Sequence, residues 1–340
     1  MNAALRVETP GPLSTLQDFG RRGWRRFGVP VSGAMDPVAL SIANALVGNP
    51  PGAAAVELTL IGGSFVVEGA AVRIALAGGD FPMFIDGSPA AAACSHTWEA
   101  GQSVRIGSTR HGVRGYLAAA GGFAIEAMLD SRSTHVRSGL GGLHGGPLAA
   151  GDRLPLGEAE LAVPDQWLPP EHMPHAFPKV RVVLGPQDDH FTTQAIARFQ
   201  ATDYTISPHS DRMGYRLSGP PLEHSRGFDI ISDATVPGSI QVPGTGEPIV
   251  LMADAQTTGG YPKIATVISA DLPALGQRRP GDHLRFEAVT LEAAVAARQA
   301  LVRWLAALPR VLVPVGRGPN PERLLAANLI GGVTDGDAFL

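Results

Sequence analysis

Between Asp254 and Thr266 the chain reads DAQTTGGYPKIAT. A carboxylate (Asp254), two hydroxyls (Thr257, Thr258), a glycine pair (Gly259, Gly260), a phenol (Tyr261) and an ammonium (Lys263) crowd into this stretch. The apolar run EPIVLMAD delivers Asp254 at its end, and a second run, KIATVIS, begins at Lys263. Backbone N–H groups freed by glycine can form an oxyanion-stabilising nest beside a carboxylate and an ammonium. In such a turn Lys263 offers a cation to a developing oxyanion or phosphate, and Tyr261 a proton. The alternative is a plain hairpin in which Gly259 and Gly260 only supply positive φ.

Three more polar clusters punctuate the chain. Ser14–Asp36 offers Gln17, Asp18 and Arg21, then Ser32-Gly33 ahead of Asp36. Ser131–Gly142 carries Arg132, Arg137 and Ser138, and Ser207–Gly219 centres on Ser210, Asp211 and Arg212. Arg212 brings a planar fork suited to a carboxylate or phosphate. Each cluster also has a structural reading: Asp18 and Asp36 as caps, Asp211-Arg212 as an ion pair holding a turn. Loops this dense in mixed donors and acceptors are where binding residues usually sit.

Other chemistries are missing. The sequence has no G-x-x-x-x-G-K-[ST] phosphate loop, no G-x-S-x-G elbow and no H-E-x-x-H helix. GLGGLHGG at 139–146 is glycine-rich but out of register for a dinucleotide fingerprint. His172-x-x-His175 has no third ligand nearby, so no metal is expected. A net charge of −4 argues against a nucleic-acid partner. The local basic group Arg21, Arg22, Arg25, Arg26 reads as a solvated face that could also hold an anion. A single cysteine, Cys94, excludes a disulfide framework. With no signal-like start and no apolar run long enough to span a bilayer, a cytoplasmic protein without membrane attachment is expected.

The elements that must position these clusters are mostly strands. Short apolar runs between glycine and proline turns include LRVETPG, SFVVEGAAVRIALAGG, GVRGYLAAAGG, KVRVVLGP and GSIQVPG, the last carrying Gln241. Their number suggests β barrels or sandwiches rather than a doubly wound α/β sheet. Asp36-Pro37 opens a helix that Gly48 stops, and Asp188-Asp189 can cap HFTTQAIARFQ. Thr290 caps a longer helix that Pro309 ends, and Asn320-Pro321 opens a last short one. Two weak echoes, LRVETPGP with VRVVLGPQ and GDRLPL with GDHLRF, suggest two similar β halves. The expected division is 1–162, a proline-rich linker at 163–178, a second half at 179–309 and a tail at 310–340.

In order along the chain, STLQDFGRRG, GVPVSGAMD, ELTLIGG, SRST, GPQDDHFT, SDRMGYRLSGP, GSIQVP and DAQTTGGYPKIATVISADL resemble the family of 5-oxoprolinase C subunits. That family is also called allophanate hydrolase subunit 2, and it is related to the carboxyltransferase domain of urea carboxylase. The resemblance implies a mainly β fold of two cyclophilin-like barrels with a functional cleft between them. It also implies partner subunits, A and B, and an ATP-dependent opening of 5-oxoproline to L-glutamate, with Mg accompanying ATP. The lactam would be activated by phosphorylation of its carbonyl. Under it, Arg212 and Lys263 would contact anions, and Asp254 and Tyr261 would handle protons. Gln17, Asp18, Arg21, Ser32, Gly33, Arg137, Ser210, Asp211, Gln241, Thr257, Thr258, Gly259 and Gly260 would bind substrate or nucleotide. Alternatives are carboxyl transfer from a carboxybiotin carried by another protein to urea or a similar amide, and a regulatory role beside a kinase inhibitor. Gly146 and Ala255 stand where relatives often place arginine.

Overall fold

The structure is a computed structural model that describes residues 3–159, 161, 164–173 and 179–315. The fold is mainly β. Among the described residues the α-helices are α1 (Pro37–Leu46), α2 (Thr193–Ala201), α3 (Leu272–Gly276) and α4 (Leu291–Val311).

The larger sheet has eleven strands, all drawn from between Ala4 and Pro155. Its central strands are buried on both faces. Along Arg114–Ala119, Leu117 and Ala119 enter the sheet's inner core, while Tyr116 and Ala118 point outward against α1. Such a strand carries no polar alternation, so it reads as a continuous apolar run. Asp36 starts α1 by accepting from the Val38 and Ala39 amides, at 3.0 and 2.9 Å, and Pro37 fits the first turn. Most of α1 is buried because α4 covers its far side through Leu301, Trp304 and Leu308.

The second sheet has eight strands from between Val180 and Ala288. Its core stacks Phe199 of α2 on Phe286, with Tyr204 tilted against both. The opening strands of the two sheets behave differently. Ala4–Pro10 lies antiparallel to Arg153–Pro155, whereas Val180–Leu184 runs parallel to Phe286–Ala288. The sequence echo therefore marks similar strands but not identical pairing.

Two local expectations need correction. Thr192, not Asp188 or Asp189, caps α2, and Asp188–His190 forms a separate 3-10 turn. Pro309 lies inside α4, which continues to Val311. A proline this near the C-terminus removes one bond of the last turn without breaking the rest. Within the expected linker, Gln166–Trp167 pairs with Val313–Pro314. His175 and the helix expected from Asn320 lie outside the described residues.

The two sheets meet through specific contacts. Met35 packs into the core of the second sheet, and the backbone of α3 comes so close that a Cβ on Gly276 would lie 2.4 Å from the Met35 carbonyl. Beyond α3, Gln277 donates to Asp36 at 2.8 Å and accepts from the Val113 and Arg114 amides. Arg279 donates to the carbonyls of Gly112 and Thr109.

Candidate functional site

Asp18 organises the first wall. One carboxylate oxygen accepts from the Gly20 amide and the hydroxyls of Ser131 and Ser133, and the other from the Arg132 amide. This draws the segment 131–135 against the loop of residues 17–33. The Thr134 carbonyl then accepts from Gln17 at 3.0 Å and from the Ser32 hydroxyl at 3.1 Å, and the Ser133 carbonyl accepts from Arg21. Ser32 sits at φ 57°, an unusual backbone for a non-glycine residue, and Gly33 follows at φ 91°. A Cβ on Gly33 would meet the Gly20 nitrogen at 2.8 Å, so this turn needs glycine for space as well as conformation.

The second wall is a buried ion network that crosses between the sheets. Arg212 donates to both oxygens of Asp254, at 2.8 and 2.9 Å, to the Gly33 carbonyl at 2.6 Å, and to Glu57. Ser32 closes Asp254 with a hydroxyl bond of 2.7 Å. Glu57 also accepts from the Met35 amide and the Tyr116 hydroxyl. It reaches the joint because its strand, Ala55–Thr59, alternates: Val56 and Leu58 face the inner core and Glu57 the opposite side.

Electrostatics follow the geometry. Burial works to raise the Asp254 carboxyl pKa. Arg212, by its charge and its hydrogen bonds, and the Ser32 hydroxyl outweigh it and hold that pKa below the ordinary carboxylate value. Burial also works to strip the Arg212 proton, but Glu57 and Asp254 hold it more firmly than in water. Burial, then Glu57 and Asp36, push the Tyr116 phenol well above its usual range, so it stays protonated. Asp36 differs: burial, with no described cation to offset it, raises its pKa to about 6.

The signature stretch itself divides. Asp254 belongs to the joint, whereas Thr258–Gly259 pairs with Asp233–Ala234 in a two-stranded ribbon. Lys263 is buried and spends its ammonium on Asp233, at 2.7 Å, and on the Ala234 carbonyl. Lys263 in turn lowers the Asp233 carboxyl pKa. Tyr261 is exposed, and Gln241 lies buried beneath Gly259, whose Cβ would meet its amide nitrogen at 2.3 Å. Thr257 gives a carbonyl to Arg25, and Gly260 bonds Ile230 through its own.

The structure thus brings together Gln17, Asp18, Arg21, Ser32, Gly33, Arg212 and Asp254. Lys263, Tyr261, Gln241 and residues 257–260 form the neighbouring ribbon. Ser210 and Asp211 lie in an exposed turn, where Asp211 accepts from the Met213 and Gly214 amides. Arg137 is exposed and meets the Met213 sulfur. Of the basic group read as a solvated face, Arg22 and Arg26 are exposed, but Arg21 is fully buried. Arg25 crosses to the Thr235, Gln256 and Thr257 carbonyls.

Glu57, Asp233 and His135 are additions that the sequence reading missed. Glu57 had a signal, being the one charge in the buried strand AVELT. His135 is buried, and no group among the described residues bonds either ring nitrogen. Each such nitrogen left unpaired costs about 1–3 kcal/mol. The cations expected to meet phosphate, Arg212 and Lys263, are both occupied by protein carboxylates. The described cluster therefore does not fit a triphosphate. Among the described residues no group of three or more His, Cys, Asp or Glu could hold a metal ion. A groove of about 410 Å³ lies elsewhere, against Leu46, Asn49, Pro50 and Gly121. No described helix is long and apolar enough to cross a membrane.

Fold and site define a mainly β protein of two sheets, fastened by a buried ion network with a polar cluster beside it. The sequence model of the family "Carboxyltransferase domain, subdomain A and B" matches residues 27–288, and the chain belongs to that family. Within it, the chain is 37% identical over 299 residues to the 5-oxoprolinase C subunit of Haemophilus influenzae, covering 88% of this chain and 96% of that one. It is 38% identical to the 5-oxoprolinase C subunit of Escherichia coli, with the same coverage. A putative urea carboxylase of Emericella nidulans is 34% identical across 89% of this chain but only 26% of its own length. Among solved structures, Kluyveromyces lactis urea carboxylase aligns with a TM-score of 0.85 at 28% identity, covering 93% of this chain and 30% of that one. The urea amidolyase from the same yeast aligns with a TM-score of 0.84 at 28% identity, covering 90% of this chain. This chain spans only a fifth of that amidolyase.

Proposed function

We propose that this chain is one subunit of an ATP-dependent 5-oxoprolinase, acting with homologues of subunits A and B to hydrolyse 5-oxoproline to L-glutamate in the cytoplasm. The observation that carries this reading is the nearly end-to-end match to two 5-oxoprolinase C subunits, 96% of each. The urea carboxylase relatives hold the same stretch as a minor part of a longer chain. Since Arg212 and Lys263 are occupied by Asp254 and Asp233, ATP and its Mg belong on a partner subunit. This chain then contributes the pocket wall for the lactam. Arg21 and Arg25 are its candidate cations, each with one guanidinium nitrogen that no described group bonds. Asp254, ionised and clamped, fixes the field and the position of Ser32.

The test is an ADP-release assay of the chain mixed with its A and B partners. Adding 5-oxoproline is expected to stimulate ADP release and to yield glutamate, and the chain alone is expected to bind no ATP. Folded subunits that give no stimulation would overturn the reading. A second reading, carboxyl transfer to urea or a similar amide, is favoured by the family description and by the TM-scores to urea carboxylase and urea amidolyase. The chain has no Ala-Met-Lys-Met biotin-attachment string, so the carboxybiotin donor would be another protein. Urea-dependent loss of the carboxyl group from added carboxybiotin would select that reading instead.

A further inference from the structure

We infer that His135 and Arg21 form the recognition pair of this site for a small acid that also carries an amide; the inference rests on the 5-oxoprolinase reading and names the residues that would select its substrate. Of the ten buried polar side-chain atoms that no described group bonds, four belong to three neighbours: Gln17 Oε1, Arg21 Nη1 and both ring nitrogens of His135. All three residues are at most 4% exposed. They gather on one segment, since Gln17 bonds the Thr134 carbonyl, Arg21 bonds the Ser133 carbonyl, and His135 follows directly. Ser32 ties this segment to Asp254, since its hydroxyl meets both the Thr134 carbonyl, one residue before His135, and the Asp254 carboxylate. Asp254 is itself closed by Arg212 and Ser32, and it bonds neither Arg21 Nη1 nor either ring nitrogen of His135.

Buried polar atoms in folded proteins are almost always paired, and a cluster of exceptions points to a ligand. The types present specify one. A guanidinium nitrogen held by its neighbours suits a carboxylate. A neutral imidazole donates on one side and accepts on the other, the complement of an amide's C=O and N–H. Gln17 Oε1 supplies a second acceptor for that N–H. Triphosphate would demand more free cations, and urea has no carboxylate for Arg21. The other six atoms are spread one each over Ser14, Arg25, Trp98, Arg114, His190 and Tyr204, and none of these residues bonds the 133–135 segment.

The experiment uses the assembled complex and the chain alone. His135→Phe keeps a buried ring while removing both nitrogens, so its melting temperature is expected to equal or exceed the wild type. Its KM for 5-oxoproline is expected to rise at least about tenfold, the loss of one good polar contact. His135→Gln retains a donor and an acceptor and is expected to recover most of that loss. On the chain alone, the His135 ring signals in NMR are followed against 5-oxoproline, 2-pyrrolidone and acetate. The first, with both functional groups, is expected to move them at lower concentration than either fragment. A His135→Phe complex with unchanged KM, or ring signals indifferent to all three compounds, would overturn the inference. If the wild-type complex turns over no 5-oxoproline while the ring signals still respond to it, the 5-oxoprolinase reading fails and the recognition pair stands.

Discussion

Asp36 shows how one carboxylate serves two structures at once. It caps α1 and receives Gln277 from beyond α3, yet no described residue forms an ion pair with it. Its pKa in the folded protein is raised from 3.8 to about 6. For an acid raised on folding, the folded state binds more protons than the unfolded state between these values. Stability therefore falls as pH rises through that window, by about 3 kcal/mol at most. Asp254 has the opposite sign: its pKa is depressed, so its contribution is present at neutral pH and is lost only in more acidic solution, below the ordinary carboxylate range. Asp36→Asn is expected to flatten the decline between about pH 4 and pH 6. Asn keeps the oxygen that accepts from Val38 and Ala39 but turns an N–H toward Gln277. Gln277 cannot flip freely because its own oxygen holds the Val113 and Arg114 amides. Urea midpoints across the window read the slope directly, and an unchanged slope in the variant would assign it elsewhere.

At the scale of elements, α2 separates local sequence rules from geometry. Asp188 and Asp189 have the residue type of a cap, but they turn in their own 3-10 unit and leave the position to Thr192. Thr192→Ala is expected to cost about 1 kcal/mol, as cap losses do. Asp189→Ala removes only an exposed pair with Arg226 and is expected to cost under about 0.5 kcal/mol. Denaturation midpoints with the reverse order would return the cap to Asp189. The same contrast governs what was legible. Runs such as Val72–Gly78 and Arg114–Ala119, apolar on both faces, announce strands unaided. Thr15–Gln17, Met83–Ile85 and Ser88–Ala90 are too short to show any period, and only their partners in the sheet make them strands. The site was legible where polar residues cluster in turns, as at Gln17, Asp18, Arg21 and Ser32. It was hidden where a residue works across the joint. Glu57 sits in a strand, and Arg25 looks like surface charge until the second sheet closes on it. His135 carries no local mark at all.

Across the whole molecule, the joint raises the question of what Arg212 is for. One guanidinium neutralises Glu57 from the first sheet and Asp254 from the second, and it also holds the Gly33 carbonyl. A buried pair gains little over well-packed apolar groups, because desolvation offsets attraction; breaking one by removing a single partner is costly. Arg212 therefore secures the relative placement of the two sheets more than their total stability. Arg212→Met leaves Asp254 without its guanidinium and Glu57 with only the longer pair to Arg114, 3.9 Å away, and is expected to cost about 3–5 kcal/mol. Combining it with Glu57→Gln and Asp254→Asn removes the charges together and is expected to recover more than half of that loss. The assignment to placement adds a second readout. Val72–Gly78 lies in the first sheet, whereas Val180–Leu184 lies in the second. In the wild type, backbone amide exchange of these two segments, read separately, is expected to follow a single urea transition. In Arg212→Met the two are expected to separate, with the halves unfolding at different midpoints. If they stay coincident while stability drops by the full amount, the joint is held by Met35, Gln277 and Arg279, and Arg212 serves the site alone.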